Sequence, residues 1–315
     1  MDVTTPIYIA GHRGLVGSAL VRTLQNRGYT NLITRTRAEL DLTNQAAVNE
    51  FFAAERPEVV FLAAAKVGGI MANNTYRADF IYDNIAIATN VIRAAYEHGT
   101  AKLVNLGSSC IYPKHAPQPM KEEHLLTGPL EPTNEPYAIA KISALKLCRY
   151  FHEQYGCNFV SAMPTNLYGP GDNFDLETSH VLGALIRKIH DAKKSGGPVP
   201  LWGDGSPLRE FLHVDDLADA LFFLAERVDA ASLHERVADV FVNVGTESEI
   251  SIRDLADLVA EVEGYDGEVE WDTSKPNGTP RKLMDSSLIH DLGWNPKIGL
   301  KEGIHATYEW YTRQA

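Results

Sequence analysis

The segment IYIAGHRGLVGSALVRTLQNRG, Ile7–Gly28, decides the fold. Its opening IYIAG is a short apolar run, and beyond it Leu15, Ala19, Leu20 and Leu24 recur at helical spacing until Gly28 closes the stretch. A strand therefore passes straight into a helix, with Gly11, Gly14 and Gly17 at the turn. Glycines there permit a tight turn and let backbone amides approach a pyrophosphate, which also gains from the helix N-terminus. The spacing is GxxGxxG rather than GxGxxG, and by itself it also fits plain packing of a helix on a strand. Its place between the two elements points to a bound dinucleotide.

Working outward, the first half of the chain repeats that alternation. NLITR, EVVFLAAA, KLVNLGS and NFVSAMPTNLYGP read as further strands. Between them lie TNQAAVNEFFAAERP, YDNIAIATNVIRAAYEHG and YAIAKISALKLCRYFHEQYG, which have helical patterns. Strands apolar on both faces, alternating with helices, predict an α/β fold with a doubly wound parallel sheet of the Rossmann type. After Gly169 the sequence becomes loop-rich, in GPGDNF, KKSGGPVPLWGDGSP and SKPNGTPRK, whereas EFLHVDDLADALFFLAER and VFVNVG read as a return to the main sheet. The expected division is a dinucleotide-binding domain over 1–170 plus about 211–245. A smaller, interleaved C-terminal α/β domain over about 171–210 and 246–315 would bind substrate, covering the carboxyl ends of the strands where such folds hold ligands.

Bulk properties narrow the class. A formal charge of −12 disfavours nucleic acid, because binding a phosphate backbone needs a basic face. No apolar run approaches the roughly 20 residues that a bilayer requires. MDVTTPIYIAG lacks a basic leader and a cleavage site, so no membrane association or export is expected. Three cysteines, Cys110, Cys148 and Cys157, form no CxxC pair, which fits a reducing cytoplasm and argues against a structural metal.

The second strand runs into TRTRAELDL, where an NAD enzyme usually carries a carboxylate for the ribose 2′-hydroxyl. Arg35 and Arg37 stand there instead, with Arg13 in the glycine loop, and arginine suits a 2′-phosphate. NADP(H) is the expected cofactor, with Asp41 and Leu42 bordering the adenine. YAIAK sets Tyr137 and Lys141 one helical turn apart, and the ammonium is expected to lower the phenol's pKa toward the range of a working acid or base. Ser108, at the end of the preceding strand, would bond the same substrate oxygen as Tyr137. Cys148 and Cys157 have no motif around them, and His213 is expected to support the sheet.

Glycine loop, strand-end serine and YxxxK, in this order, resemble the extended short-chain dehydrogenase/reductase family. AGHRGLVGSA, LAAAKVGGIMANNTY, LGSSCIYPK, EPTNEPYAIAKI, MPTNLYGP, REFLHVDD and SKPNGTPRKL extend the likeness along nearly the whole chain. They are similar to the branch of that family that turns GDP-4-keto-6-deoxy-D-mannose into GDP-L-fucose, by epimerising C3 and C5 and then reducing C4. The resemblance implies proton-transfer roles for Cys110 and His180, beside Ser108, Tyr137 and Lys141. It implies a cofactor site of Gly11, His12, Arg13, Gly14, Leu15, Val16, Gly17, Arg37, Asp41, Leu42, Leu106, Gly107, Ser108, Ser109 and Lys141, completed by Pro164, Thr165, Asn166, Leu167 and His180. It assigns Lys188, Trp202, Arg209 and Asp272 to the GDP-sugar, with Arg187 an alternative to Lys188 as the diphosphate ligand. It also implies a homodimer built on the long segments Ala78–Gly99 and Tyr137–Gly156. Which of Cys110 and His180 serves which carbon stays open. The rival readings are another NAD(P)-dependent nucleotide-sugar epimerase or dehydratase, which would lack the cysteine of SSC, and a non-catalytic NADP-binding protein, which would lose the tyrosine or lysine.

Overall fold

Ile7–Ala10 (β1) is buried at every residue, because helices cover both faces of the sheet it belongs to. The computed structural model describes residues 1–314 apart from 177 and 276. After β1 come α1 (Leu15–Asn26), β2 (Leu32–Ile33), α2 (Gln45–Glu55), β3 (Val59–Leu62), α3 (Ile70–Thr75), α4 (Arg77–Glu97), β4 (Lys102–Leu106), α5 (Glu135–Tyr155) and β5 (Phe159–Pro164). The second half holds β6 (Asn166–Tyr168), α6 (Val181–Ser195), β7 (Val199–Trp202), β8 (Leu208–His213), α7 (Val214–Arg227), α8 (Ala230–His234) and β9 (Phe241–Val244). It closes with β10 (Glu249–Ser251), α9 (Ile252–Glu263), β11 (Val269–Asp272), β12 (Arg281–Lys282), α10 (Ser287–Asp291) and α11 (Leu300–Gln314).

The main sheet has the order β2-β1-β3-β4-β5-β9 and every pairing in it is parallel. The chain moves outward from β1 to β2 and then back past it to β3. The carboxyl ends of β1 and β3 therefore flank the crevice where such sheets take their ligands. Alternate residues of β1 serve two cores, as a period of two requires. Ile7 and Ile9 pack with Leu20, Leu24, Leu217 and Leu221 of α1 and α7. Tyr8 and Ala10 pack with Phe52, Val91 and Ile92 of α2 and α4 on the other face.

A second sheet centres on β8, with β10 antiparallel to it and β12 and β6 parallel. β7 and β11 form a separate parallel pair. Helices α6, α9 and α11 supply the core of this half through Leu182, Ile186, Leu255, Val259 and Ile304. Where the halves meet, Ile111, Tyr112, Met120, Met163, Phe241 and Met284 form a further cluster. Of the segments expected to return to the main sheet, α7 and β9 do so. β8 does not; among the described residues its partners are strands of the second sheet. An apolar strand reads alike in either sheet, and the difference lies in the buried Glu210 in its middle. That carboxylate accepts hydrogen bonds from the backbone N–H groups of Thr246, Glu247 and Met284. Among the described residues, no helix is long and apolar enough to cross a membrane.

Glu263, at the end of α9, is a liability left in the second core. Both of its carboxylate oxygens are buried without a hydrogen-bond partner among the described residues, and Lys193 donates to its main-chain carbonyl instead. Burial pushes the carboxyl up to about 9, against the pull of Lys193. The folded chain thus holds a proton there that the unfolded chain releases near its ordinary range, so stability falls as pH rises from about 4.5 toward 9. Glu263→Gln should remove that slope and raise the melting temperature at pH 8 by a few degrees, about 1–2 kcal/mol. Thermal melts of both proteins from pH 5 to 9 test it: equal slopes would place the charge elsewhere.

Candidate active site

The turn after β1 is a cradle that side chains would fill. Gly11 has φ +85°, and a Cβ on it would lie 2.8 Å from the Ala64 nitrogen; a Cβ on Gly17 would lie 2.1 Å from the Gly11 oxygen. The loop thus lies flat between β3 and α1. Gly14 N–H donates to Gly11 O at 2.9 Å, and as the residue before α1 it brings no side chain to cap the helix. The exposed amides of the first turn suit a pyrophosphate. Val16 is packed in the core and Leu15 lies against it, so these two offer backbone rather than side chain. The buried Nδ1 of His12 has no hydrogen-bond partner among the described residues.

The arginines beyond β2 divide. Arg35 is tied to Glu55 of α2 and lies 5.5 Å from the centroid of the Phe51 ring. Arg37 and Arg13 have no such partner among the described residues. Asp41 accepts from Thr43 N–H and Oγ1 at 3.0 and 2.8 Å, bonds that lower its pKa with help from the Arg37 charge. Leu42 is buried behind it. Two free guanidinium groups beside an occupied carboxylate fit a 2′-phosphate better than a bare ribose.

The chemistry gathers where β4 ends. Leu106 closes the strand, Gly107 follows, and Ser108 Oγ accepts from Cys110 N–H at 3.4 Å as the chain enters a short 3-10 turn, Ser109–Ile111. From α5, the Lys141 Nζ donates to Leu106 O at 2.7 Å and sits 5.7 Å from the centroid of the Tyr137 ring. That carbonyl contact and the burial of both groups reverse one expectation. Burial pushes the Tyr137 phenol well above its ordinary pKa, and Cys110 adds to the rise while a hydrogen bond with Ser108 opposes it. The same burial brings Lys141 down to about 8. Tyr137 is held firmly as a phenol, a donor. The Cys110 side chain is 9% exposed, and burial raises its thiol; the bond with Ser108 and the charges of Lys282 and Lys141 act the other way.

His180 stands immediately before α6. A turn sets it there: Asp175 Oδ1 accepts from Thr178 N–H at 3.0 Å and Oγ1 at 2.9 Å, and Ser179 N–H donates to Asp175 O at 2.9 Å. Burial, and then Lys282, lower its pKa from the usual 6.5. On the β5 side, Thr165 N–H bonds to Val244 O and Asn166 Nδ2 donates to Glu210 O at 2.8 Å. Pro164 ends β5 and Leu167 lies in β6.

The remaining candidates lie on the second half. Trp202 is 70% exposed and pairs in register with Asp272, whose carboxylate accepts from Ser274 N–H at 3.0 Å and Oγ at 2.5 Å. Lys188 Nζ donates to Pro200 O at 2.9 Å, whereas Arg187 is paired with Asp191 at 2.7 Å. Arg209 Nη1 donates to Leu208 O at 2.7 Å. His213 is buried, and its Nδ1 accepts Asp215 N–H at the start of α7. Lys282, register partner of Arg209, was not among the sequence candidates. Its only signal was a place inside the SKPNGTPRKL motif; the pairing of β12 with β8 is what reveals it.

A parallel sheet with a glycine cradle after its first strand, and a serine, tyrosine and lysine at the end of its fourth, define a nucleotide-dependent oxidoreductase or epimerase site. The chain belongs to the NAD dependent epimerase/dehydratase family, which it matches over residues 7–245. It is similar to GDP-L-fucose synthase 1 of Arabidopsis thaliana, 59% identical over 313 residues that cover 99% of this chain and 94% of that protein. It is also similar to GDP-L-fucose synthase of Escherichia coli strain K12, 54% identical over 97% of this chain and 96% of that one. Among solved structures, a GDP-D-glycero-L-gluco-heptose synthase from Campylobacter jejuni, determined in the presence of NADPH, superposes with a TM-score of 0.94 at 40% identity, covering 99% of each chain.

Because the cradle has no room for a methyl group, Gly17→Ala should weaken NADPH binding by at least about 100-fold, nearly 3 kcal/mol. Titration of NADPH fluorescence checks this. Binding within threefold of wild type would show that the loop does not hold the pyrophosphate.

Proposed function

We propose that this chain converts GDP-4-keto-6-deoxy-D-mannose into GDP-L-fucose with NADPH, by epimerising C3 and C5 and then reducing the C4 ketone. The observation that carries the reading is the grouping at the end of β4: a cysteine stands two residues after the serine, facing the tyrosine and lysine of α5. Simple ketone reduction needs no thiol. Inverting a carbon next to a ketone removes a proton from one face and returns one to the other, which takes two groups trading acid and base roles. Cys110 and His180 are that pair. With the thiol raised and the imidazole lowered, the resting couple is a neutral acid and a neutral base; one exchange of protons converts it to thiolate and imidazolium. Ser108 and Tyr137 hydrogen-bond the C4 oxygen and stabilise the enolate as its charge grows. Tyr137, kept protonated by burial, then gives that oxygen its proton. NADPH supplies the hydride that C4 takes up. A dehydratase would need an acid to protonate a leaving hydroxyl, and among the described residues no carboxylate acts on Cys110 or Tyr137.

The site residues divide on this reading between two domains. The main sheet holds NADPH through Gly11–Gly17, Arg13 and Arg37. The second half holds the GDP-sugar through Trp202, Arg209, Asp272 and Lys188, the last favoured over Arg187, whose charge Asp191 already takes. The working unit is a homodimer: α4 and α5 pack side by side and still expose Tyr82, Ile139 and Tyr150, apolar bulk that a second copy would cover in a four-helix arrangement. The cytoplasm suits its three unpaired cysteines. Sedimentation equilibrium should return twice the chain mass; a monomer at micromolar concentration would rule the dimer out.

The decisive experiment is incubation with NADPH and GDP-4-keto-6-deoxy-D-mannose in deuterated water, with the product read by NMR. Wild type should give the fuco configuration with deuterium at C3 and C5. Cys110→Ser should still oxidise NADPH but lose incorporation by about 100-fold or more, yielding unepimerised or singly epimerised sugar. If wild type neither oxidises NADPH nor incorporates deuterium, the substrate is a different nucleotide sugar.

A further inference from the structure

β12 runs parallel to β8 with Lys282 beside Arg209, which sets two cationic side chains on one face of the second sheet. Two residues on, Met284 joins Ile111 and Tyr112 in the junction cluster and bridges to Met120. β12 is thereby packed onto the turn that carries Cys110. Lys282 is half-buried, yet it makes no hydrogen bond or ion pair among the described residues. Its neighbours are committed: Lys141 to the Leu106 carbonyl, Arg209 to the Leu208 carbonyl and Lys188 to the Pro200 carbonyl. The groups that face the thiol are Ser108 from its own turn, Lys141 and Tyr137 from α5, and Lys282 from β12. Lys282 in turn faces Cys110 and Arg209, and its charge reaches His180. An ammonium partly withdrawn from water beside a guanidinium, with no acceptor of its own among the described residues, is held at a cost that an adjacent anion offsets.

We propose that Lys282 is the counter-charge of the Cys110 thiolate, a positioning residue for the proton transfers at C3 and C5. In its base form the Cys110 sulfur takes the proton as the C–H bond breaks, and the freed electron pair passes to the C4 oxygen. The imidazolium of His180 returns a proton to the opposite face as the carbonyl re-forms. Lys282 keeps its own protons throughout. It favours the thiolate and, by repelling the imidazolium, speeds the release of the His180 proton. The proton-transfer part of this proposal rests on the function proposed above; the pairing of the two side chains does not.

The test uses the full chain without substrate or NADPH. Alkylation by iodoacetamide is followed at Cys110 separately from Cys148 and Cys157 by peptide mass spectrometry across pH 6–10. Removing one close positive charge in Lys282→Met should move the half-maximal pH up by about one unit, slowing Cys110 alkylation about tenfold at pH 7.5. Lys282→Arg should stay within about threefold of wild type, and Lys282→Gln gives the same reading as the methionine variant if that one folds poorly. With substrate, deuterium entry at C3 and C5 should fall by a similar factor in kcat, with KM little changed. A Cys110 profile that does not move in a folded Lys282→Met protein overturns the proposal. So does a loss confined to KM, which would make Lys282 a diphosphate ligand. Should wild type bring no deuterium into the sugar while the profile still moves, the pairing stands and the assigned reaction fails.

Discussion

The site depends on one buried carboxylate. Glu210 is 0% exposed, and its oxygens receive Thr246 N–H at 2.6 Å, Glu247 N–H at 2.8 Å and Met284 N–H at 3.2 Å. Those donors come from the turn after β9, the last strand of the main sheet, and from the segment just past β12. One side chain in β8 thus joins the main sheet to the second one. Burial raises its pKa and the three N–H bonds hold it down. The Met284 N–H is buried and would otherwise be a donor without a partner, at about 1–3 kcal/mol. Its main-chain oxygen binds Asn166 as well, which draws the segment after β5 to the same point. Arg209 precedes Glu210 in β8 and Lys282 pairs beside Arg209, so both cations take their positions from this clamp.

Burial also sets the electrostatic character of the active site. Water would let Tyr137, Lys141, Cys110 and His180 ionise near their ordinary values. Here desolvation is the largest influence on all four, and each is pushed toward its neutral form. A buried cluster of neutral groups is a poor place to create charge unless fixed dipoles and cations await it. Ser108 and the free ammonium of Lys282 meet that need. The YxxxK spacing alone suggests that lysine acts by lowering the tyrosine's pKa. In the folded chain Lys141 is bound to a carbonyl and the tyrosine stays a phenol, so the lysine's contribution must come through what it holds.

Much of this was legible in the sequence. β1, the glycine turn and α1 followed from Ile7–Gly28, because a short apolar run giving way to a period of 3.6 around glycines admits few other structures. The serine, tyrosine and lysine were equally visible, being close in sequence to the elements that place them. What could not be read were pairings between distant segments. β8 resembles a main-sheet strand until its partners are known. Arg35 and Arg37 look interchangeable until Glu55 is seen to occupy the first. Lys282 gains meaning only from a strand of two residues, too short for any periodicity, lying beside Arg209.

The same long-range pairing explains why the chain is interleaved. Epimerisation needs an acid and a base on opposite faces of one carbon, held to within fractions of an ångström. Cys110 stands on the turn after β4, in the main sheet's scaffold, whereas His180 leads α6, a helix of the second core. On the function proposed above, two groups on a single element would share one face of the sugar, whereas Cys110 and His180, from two scaffolds, would approach it from both. That arrangement works only if the scaffolds cannot drift, and two side-by-side domains on a flexible linker would drift. Here the chain crosses back into the main sheet through α7 and β9 before completing the second sheet with β10 and β12. Relative motion would therefore have to break the Glu210 bonds and the packing of Met284 on Ile111 and Tyr112 together. On the proposed reaction, the interleaving is what would hold the two half-sites together as one.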